Sequence, residues 1–331
     1  MYHIIAFSGL MRSLKSLLVT GGAGFIGSTL VRELLKRDEV KKLIILDKLT
    51  YAGSLDNLIG PDQDPRYHFC EGDICDQALV EKLLADHHCT GILHLAAESH
   101  VDRSIINASD FITTNIVGTS TVLAAAKQAK VPFLQCSTDE VYGPARFPKL
   151  LDESTKLRPS SPYSASKASA DLLVQAAHIT YGQDVIIARC TNNYGPRQHP
   201  EKLIPLIIKK ALRDESIPIY GSGQQIRDWI HVEDCALGLI AAFEKGKSNR
   251  IYHIGAKYER TNLGIVRTIL KQLHKPESLI THVEDRLGHD ERYALDVRLA
   301  LHDLGWRTRI PFRSGFENTV RELAQSLRPS D

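Results

Sequence analysis

An apolar run, Leu17-Leu18-Val19-Thr20, passes directly into Gly21-Gly22-Ala23-Gly24-Phe25-Ile26-Gly27, and apolar residues then recur at Ile26, Leu30, Val31, Leu34 and Leu35. This reads as a buried strand, a glycine turn and the inner face of a helix. Glycines at GxxGxxG spacing permit a tight turn, close approach of backbone to a pyrophosphate, and close helix–strand packing. The helix N-terminus would receive the phosphates, since its unpaired N–H groups and dipole favour anions. A second strand, Leu43 to Leu46, ends in Asp47. A carboxylate there can accept from both ribose hydroxyls and repels a 2′-phosphate, which favours NAD over NADP. The adjacent Lys48 pulls the other way.

The alternation continues. Tyr67-His68-Phe69 leads to Gly72-Asp73-Ile74, a helix covers Gln77 to Leu84, and Gly91 to Ala97 is a fourth strand with a small-residue end that lets a flat cofactor lie on the backbone. Polar Glu98 to Ser104 sits at the cleft edge, followed by a long helix carrying Asn115 and running through Leu123 and Ala129. Val131 to Cys136 and Val185 to Arg189 are the fifth and sixth strands. Near-continuous apolar strands alternating with helices predict an α/β fold, a Rossmann-type doubly wound parallel sheet, over residues 16–190. Shorter mixed elements then predict a smaller mixed α/β substrate-binding lobe over 191–331, with later segments returning to the sheet domain. Residues 1–15 are expected to form a loosely held N-terminal tail.

Bulk properties exclude several classes. A net charge of +2 without a basic block argues against nucleic acid and anionic membrane as partners. No apolar stretch reaches the roughly 20 residues that span a bilayer. The six cysteines form no CxxC pair, as expected for reduced thiols in the cytoplasm. His87-His88-Cys89 reads as a polar helix end rather than a metal cluster, and no metal is expected.

The chemistry concentrates in Ser137-Thr138-Asp139-Glu140-Val141-Tyr142-Gly143, at the end of the fifth strand. Adjacent carboxylates there are costly unless they face a cleft, and the cleft of a parallel sheet lies beyond the carboxyl ends of its strands. The stretch is thus a candidate acid/base site, with a helix N-cap as the plainer alternative. Downstream, Tyr163 and Lys167 stand at i and i+4 on one helix face. The ammonium is expected to lower the phenol pKa and make Tyr163 a base.

Glycine turn, Asp47, Asn115, Thr138 and Tyr163-x-x-x-Lys167, in this order, resemble the extended short-chain dehydrogenase/reductase superfamily, NAD-dependent epimerase/dehydratase branch. Segments 47–53, 97–104, 138–143, 192–196, 200–205 and 227–229 are similar to the dTDP-glucose 4,6-dehydratases. The resemblance implies a homodimeric hydro-lyase that removes water across C4–C6 of a nucleotide-diphosphate glucose, regenerates its NAD and feeds deoxysugar biosynthesis. dTDP-glucose is the favoured substrate. A UDP-glucose 4,6-dehydratase, a UDP-glucuronate decarboxylase or 4-epimerase, and an NAD-binding scaffold stay open. The Asp139-Glu140 pair weighs against the decarboxylase and epimerase, and intact Thr138, Tyr163 and Lys167 weigh against the scaffold.

The resemblance also assigns roles. Thr138, Asp139, Glu140, Tyr163 and Lys167 are catalytic. Gly21, Gly24, Phe25, Ile26, Gly27, Asp47, Lys48, Asp73, Ile74, Leu95, Ala96, Ala97, Ser99, Thr114 and Asn193, with Tyr163 and Lys167, hold the cofactor. Ser99, Thr138, Asp139, Glu140, Asn192, Lys202, Leu203, Pro218, Ile219, Tyr220, Arg227, Asn262, Arg286 and His289 contact the substrate. Arg227 could instead pair with Asp228, and Tyr220 could be a core residue. The family loop at Asp285 to Asp290 usually has proline where Leu287 stands, so a looser turn is expected around Arg286 and His289.

Overall fold

The apolar runs pair side by side in the computed structural model, which describes residues 11–327. The strands are β1 (Ser16–Thr20), β2 (Lys42–Asp47), β3 (Tyr67–Glu71), β4 (Gly91–His94), β5 (Phe133–Thr138), β6 (Val185–Cys190), β7 (Asn192–Tyr194), β8 (Ile217–Tyr220), β9 (Ile226–His231), β10 (Arg250–Ile254), β11 (Glu259–Thr261) and β12 (Ile280–Val283). The helices are α1 (Phe25–Leu35), α2 (Gln77–Asp86), α3 (Val101–Ile106), α4 (Ser109–Phe111), α5 (Thr119–Ala129), α6 (Pro162–Tyr181), α7 (Leu203–Leu212), α8 (Val232–Lys245), α9 (Asn262–Gln272), α10 (Arg298–Leu304) and α11 (Phe312–Ser326).

Seven strands form one sheet in the order β10-β6-β5-β4-β1-β2-β3, every neighbouring pair parallel. The chain runs outward from β1 to β3, returns to β4 on the other side of β1, and runs outward again. This reversal places a crevice beyond β1 and β4, where ligands of such sheets bind. One apolar layer packs α1, α8 and α10 on the sheet, and another packs α2, α5 and α6 on the opposite face. The lobe has its own core, built from Ile204, Ile208, Trp229, Ile265, Ile269 and Phe316. Small sheets β11-β9-β7 and β12-β8 complete it.

The expected long helix around Asn115 is continuous from α4 into α5 but widens to π-helical geometry over Ile112–Gly118. Such widened turns cluster at functional sites. Residues 1–10 of the expected tail lie outside the described residues. Residues 11–15 correct the expectation of a loose tail. Leu14 is buried, and Arg12 donates to both oxygens of Asp184 at 2.6 and 2.7 Å.

The glycine turn is fixed by space. Gly21 has φ +70°, and a Cβ on it would lie 2.5 Å from the Ala96 nitrogen. A Cβ on Gly27 would lie 2.1 Å from the Gly21 carbonyl oxygen. Gly27→Ala must therefore push α1 off β1, and is expected to cost about 1–3 kcal/mol of stability, read by thermal unfolding without ligand.

Candidate active site

The carboxyl ends of β1, β4, β5 and β6 open into a cavity of about 880 Å³. Every cofactor residue expected from the sequence lines it, from Gly21 through Asp47 and Thr114 to Asn193. So do all five catalytic residues, together with Ser99, Asn192 and Lys202 of the substrate set.

The nucleotide half fits NAD. No side chain caps α1, and its first turn holds no acid, so its N–H groups are left for an anion. Gly24 lines the cavity, and a Cβ on it would touch only the Gly21 carbonyl, at 3.3 Å. Packing thus does not demand this glycine, whereas a ligand lying against the backbone would. Asp47 accepts from the main-chain N–H of Ala23 and of Leu49, each at 2.9 Å, one bond per oxygen. Further lone pairs are free for ribose hydroxyls. Lys48 turns away to Asp73, 2.7 Å distant. The Asn193 Oδ1 is buried without a partner on the cavity wall.

The catalytic stretch is both of the things the sequence allows. Thr138 ends β5 and caps a short 3-10 turn, Asp139–Tyr142, its hydroxyl accepting from the Glu140 N–H at 3.3 Å. The same turn faces the cavity with both carboxylates. It is anchored from behind by the Tyr142 hydroxyl, 2.6 Å from His253 Nε2, and by the Arg189 guanidinium 4.6 Å from the Tyr142 ring centre. Arg189 is in turn held by Asp171 at 2.8 Å in a fully buried pair.

The two carboxyls are electrostatically unlike. Burial, then the charge of Glu140, pushes Asp139 well above the usual carboxylate range. Its Oδ2 is buried without a partner. Burial also raises Glu140, but Arg227, Lys202 and Arg286 oppose the rise. Both carboxyls are raised, Asp139 the further, which is the order expected of an acid beside a base.

Tyr163 departs from expectation. Burial, followed by the charges of Glu140 and Cys136, pushes its phenol well above the ordinary tyrosine value. Lys167 does not offset this, because its Nζ donates to the Cys136 carbonyl at 2.8 Å, and burial lowers its own pKa. Sharing a helix face brought the two together but did not settle where the ammonium points. Asn115 stands behind them. Its amide bonds the Glu98 N–H at 2.8 Å, the Glu98 carbonyl at 3.0 Å and the Ser166 hydroxyl at 2.8 Å, tying the β4 loop to α6.

The rest of the substrate set lies in the lobe, outside the main cavity wall. Arg227 has no carboxylate partner among the described residues. It donates to the carbonyls of Ile226 and Asp290 at 2.8 and 3.0 Å and lies 4.3 Å from the Tyr293 ring centre. Asp228 faces away, accepting from the N–H groups of Ala256 and Tyr258. Tyr220 and Pro218 are on the exposed side of β8, so Tyr220 is not core. Ile219, on the other side, is buried in the lobe core. Leu203 begins α7 and packs against that same core. Asn262 begins α9, its N–H bonded to the Gln225 carbonyl.

The loop of Arg286 and His289 is well defined without proline. Asp285 accepts from the Arg286 N–H at 2.8 Å and lies 2.7 Å from His289 Nδ1. Gly288 at φ +65° packs on the Ser160 carbonyl, and Leu287 points to solvent. The cavity-lining residues not singled out as contacts include Tyr51, Arg103 and His199. Arg103 lies 4.0 Å from the Tyr51 ring centre and bonds Glu201 at 3.0 Å. Their signal was position alone, in polar stretches flanking the cleft.

The sequence matches the family described as GDP-mannose 4,6 dehydratase over residues 18–319. A dTDP-glucose 4,6-dehydratase of Actinoplanes sp. is 46% identical over 310 residues, covering 92% of this chain and 96% of that one. One from Neisseria gonorrhoeae is 48% identical, covering 93% and 95%. Among solved structures, the dTDP-glucose 4,6-dehydratase of Streptomyces venezuelae with NAD bound superposes with a TM-score of 0.91 at 46% identity, covering 94% of this chain and 97% of that one. A UDP-glucose 4-epimerase of Thermotoga maritima shares the fold, TM-score 0.87, at only 28% identity, covering 95% and 100%. This chain belongs to the GDP-mannose 4,6 dehydratase family and groups there with the dTDP-glucose 4,6-dehydratases.

Proposed function

We propose that the chain is an NAD-dependent hydro-lyase converting dTDP-glucose to dTDP-4-keto-6-deoxyglucose. The observation that carries this reading is the Asp139-Glu140 pair, which lines one cavity together with Tyr163, Lys167 and the glycine turn. NAD, when bound, accepts the C4 hydride of the sugar and returns a hydride to C6.

The protein moves the protons. Tyr163 takes the C4 hydroxyl proton, and Thr138 holds the same oxygen. Groups brought in on binding must drive Tyr163 to ionise, because burial and Glu140 oppose it. The 4-ketone acidifies the C5 proton, which Glu140 removes, and the protonated Glu140 returns a proton to C5 as the hydride reaches C6. Asp139, protonated, gives its proton to the departing C6 hydroxyl. Lys202, Arg227 and Arg286 provide positive charge near this centre, suited to a diphosphate.

The test is turnover of purified protein with NAD at or below the enzyme concentration. Product lighter by one water, with no net NADH absorbance, is expected. Loss of carbon dioxide, an unchanged mass or steady NADH accumulation overturns the reading. dTDP-glucose is expected to be preferred over UDP-glucose by roughly 10–200-fold in kcat/KM, the scale of one methyl in a pocket.

Exposed Ile112, Val117 and Leu172, on the π-helical stretch and α6, support a homodimer formed through these helices. Among the described residues no helix is long and apolar enough to cross a membrane, and all six cysteines are free, which supports a reducing, cytoplasmic setting.

A further inference from the structure

We propose that Asp102 is a positioning residue. It fixes the Arg286 guanidinium across the cleft, so that the free edge of that fork is set to receive the nucleotide diphosphate. The inference rests on the reading of Arg286 as a diphosphate contact.

Asp102 lies in the first turn of α3, on the sheet side of the cleft, and Arg286 lies in the lobe loop after β12. The Arg286 Nε is 2.6 Å from Asp102 Oδ1, and its Nη2 donates to Oδ2 at 3.0 Å. Both side chains are mostly buried, 23% and 31% exposed, so solvent screens the pair less than a surface one. The Tyr220 hydroxyl donates to the same carboxylate at 3.3 Å, and the guanidinium lies 5.0 Å from the Tyr220 ring centre. One edge of Arg286 is therefore held by Asp102 and one face by Tyr220. Nη1 is the edge left over.

The backbone of the loop does not need this pair. Asp285 holds the Arg286 N–H, His289 and the Gln225 amide, the last at 3.1 Å, while Gly288 abuts Ser160. What Asp102 adds is the orientation of a long side chain that otherwise samples many rotamers. A guanidinium already aimed loses less freedom when a diphosphate binds. Asp102 has no hydrogen bond to Asp139 or Glu140 and the Arg286 charge persists without it, so its effect is read mainly in binding.

The test uses the full chain loaded with NAD and thymidine diphosphate as the probe. Asp102→Asn keeps the size and removes the charge. It is expected to weaken thymidine diphosphate binding by roughly tenfold, the scale of coupling within one hydrogen-bonded network. KM for dTDP-glucose should rise in parallel, with kcat changed by less than about threefold. Asp102→Glu, which keeps the charge on a longer stem, should recover part of the affinity, and it serves in place of Asn if that variant folds poorly. Arg286→Ala should lose at least as much affinity, and the double variant should be no weaker than Arg286→Ala alone. If Arg286→Ala weakens the probe while Asp102→Asn binds it as well as or better than the parent, the role of Asp102 is overturned. A proportional fall in kcat with unchanged KM overturns it too. If Arg286→Ala binds normally, the diphosphate reading of Arg286 fails instead.

Discussion

Glu140→Gln is expected to lower turnover of dTDP-glucose by roughly 10²–10⁴-fold, the usual contribution of a positioned acid or base. Gln matches Glu in size but cannot accept the C5 proton. The substitution leaves the turn intact, since Thr138 binds the backbone N–H of residue 140 and not its side chain. Burial raises Glu140, and Arg227, Lys202 and Arg286 hold it below the value that burial alone would give it. The decisive measurement is exchange of the C5 proton in heavy water, followed alongside turnover. Both should be lost together, while NAD affinity stays near that of the parent. A Glu140→Gln protein that exchanges C5 at the parent rate would place the base elsewhere.

Local pattern made the nucleotide half legible. A strand, a glycine turn and a helix announce themselves by period and spacing, and Asp47 follows at the end of the next strand. The family resemblance extended this to residues such as Ile74 and Thr114, and all of them line the cavity. What could not be read was set by contacts far apart in sequence. Arg12 meets Asp184, and although later segments were expected to return to the sheet, which one does so, β10 beside β6, was not legible. Tyr163 and Lys167 illustrate the same limit in electrostatics. Helix geometry placed them together, but burial raises the Tyr163 phenol and the Cys136 carbonyl, on β5, takes the Lys167 ammonium. The loop at Arg286 repeats it, because Ser160 and Asp285 stabilise a turn that proline was expected to define. The burial of Ile219 was legible in the alternation of its strand. This residue shares a strand face with Ile217, both buried, while Pro218 and Tyr220 face out.

Asp139→Asn should yield a protein that is nearly inactive and yet loses less stability as pH rises. The activity loss, roughly 10²–10⁴-fold, follows from removing the proton donor to the C6 hydroxyl. The stability effect follows from the direction of the pKa. Unfolded, Asp139 titrates near the reference value of about 3.9. Folded, burial and the neighbouring Glu140 hold it well above that. Between those two values the native state carries a proton that the unfolded state has lost, so unfolding releases it and stability falls as pH rises. The slope from this one group is at most about 1.4 kcal/mol per pH unit, fully developed only inside that window. Asn cannot ionise, so the slope should shrink, and the variant should melt higher than the parent toward neutral and alkaline pH. It should not vanish, because burial raises Glu140 as well, with the same sign. Thermal unfolding across pH checks this without substrate or cofactor. If the variant melts lower than the parent at neutral pH with an unchanged slope, Asp139 is not the buried acid, and the division of labour between the two carboxyls must be redrawn.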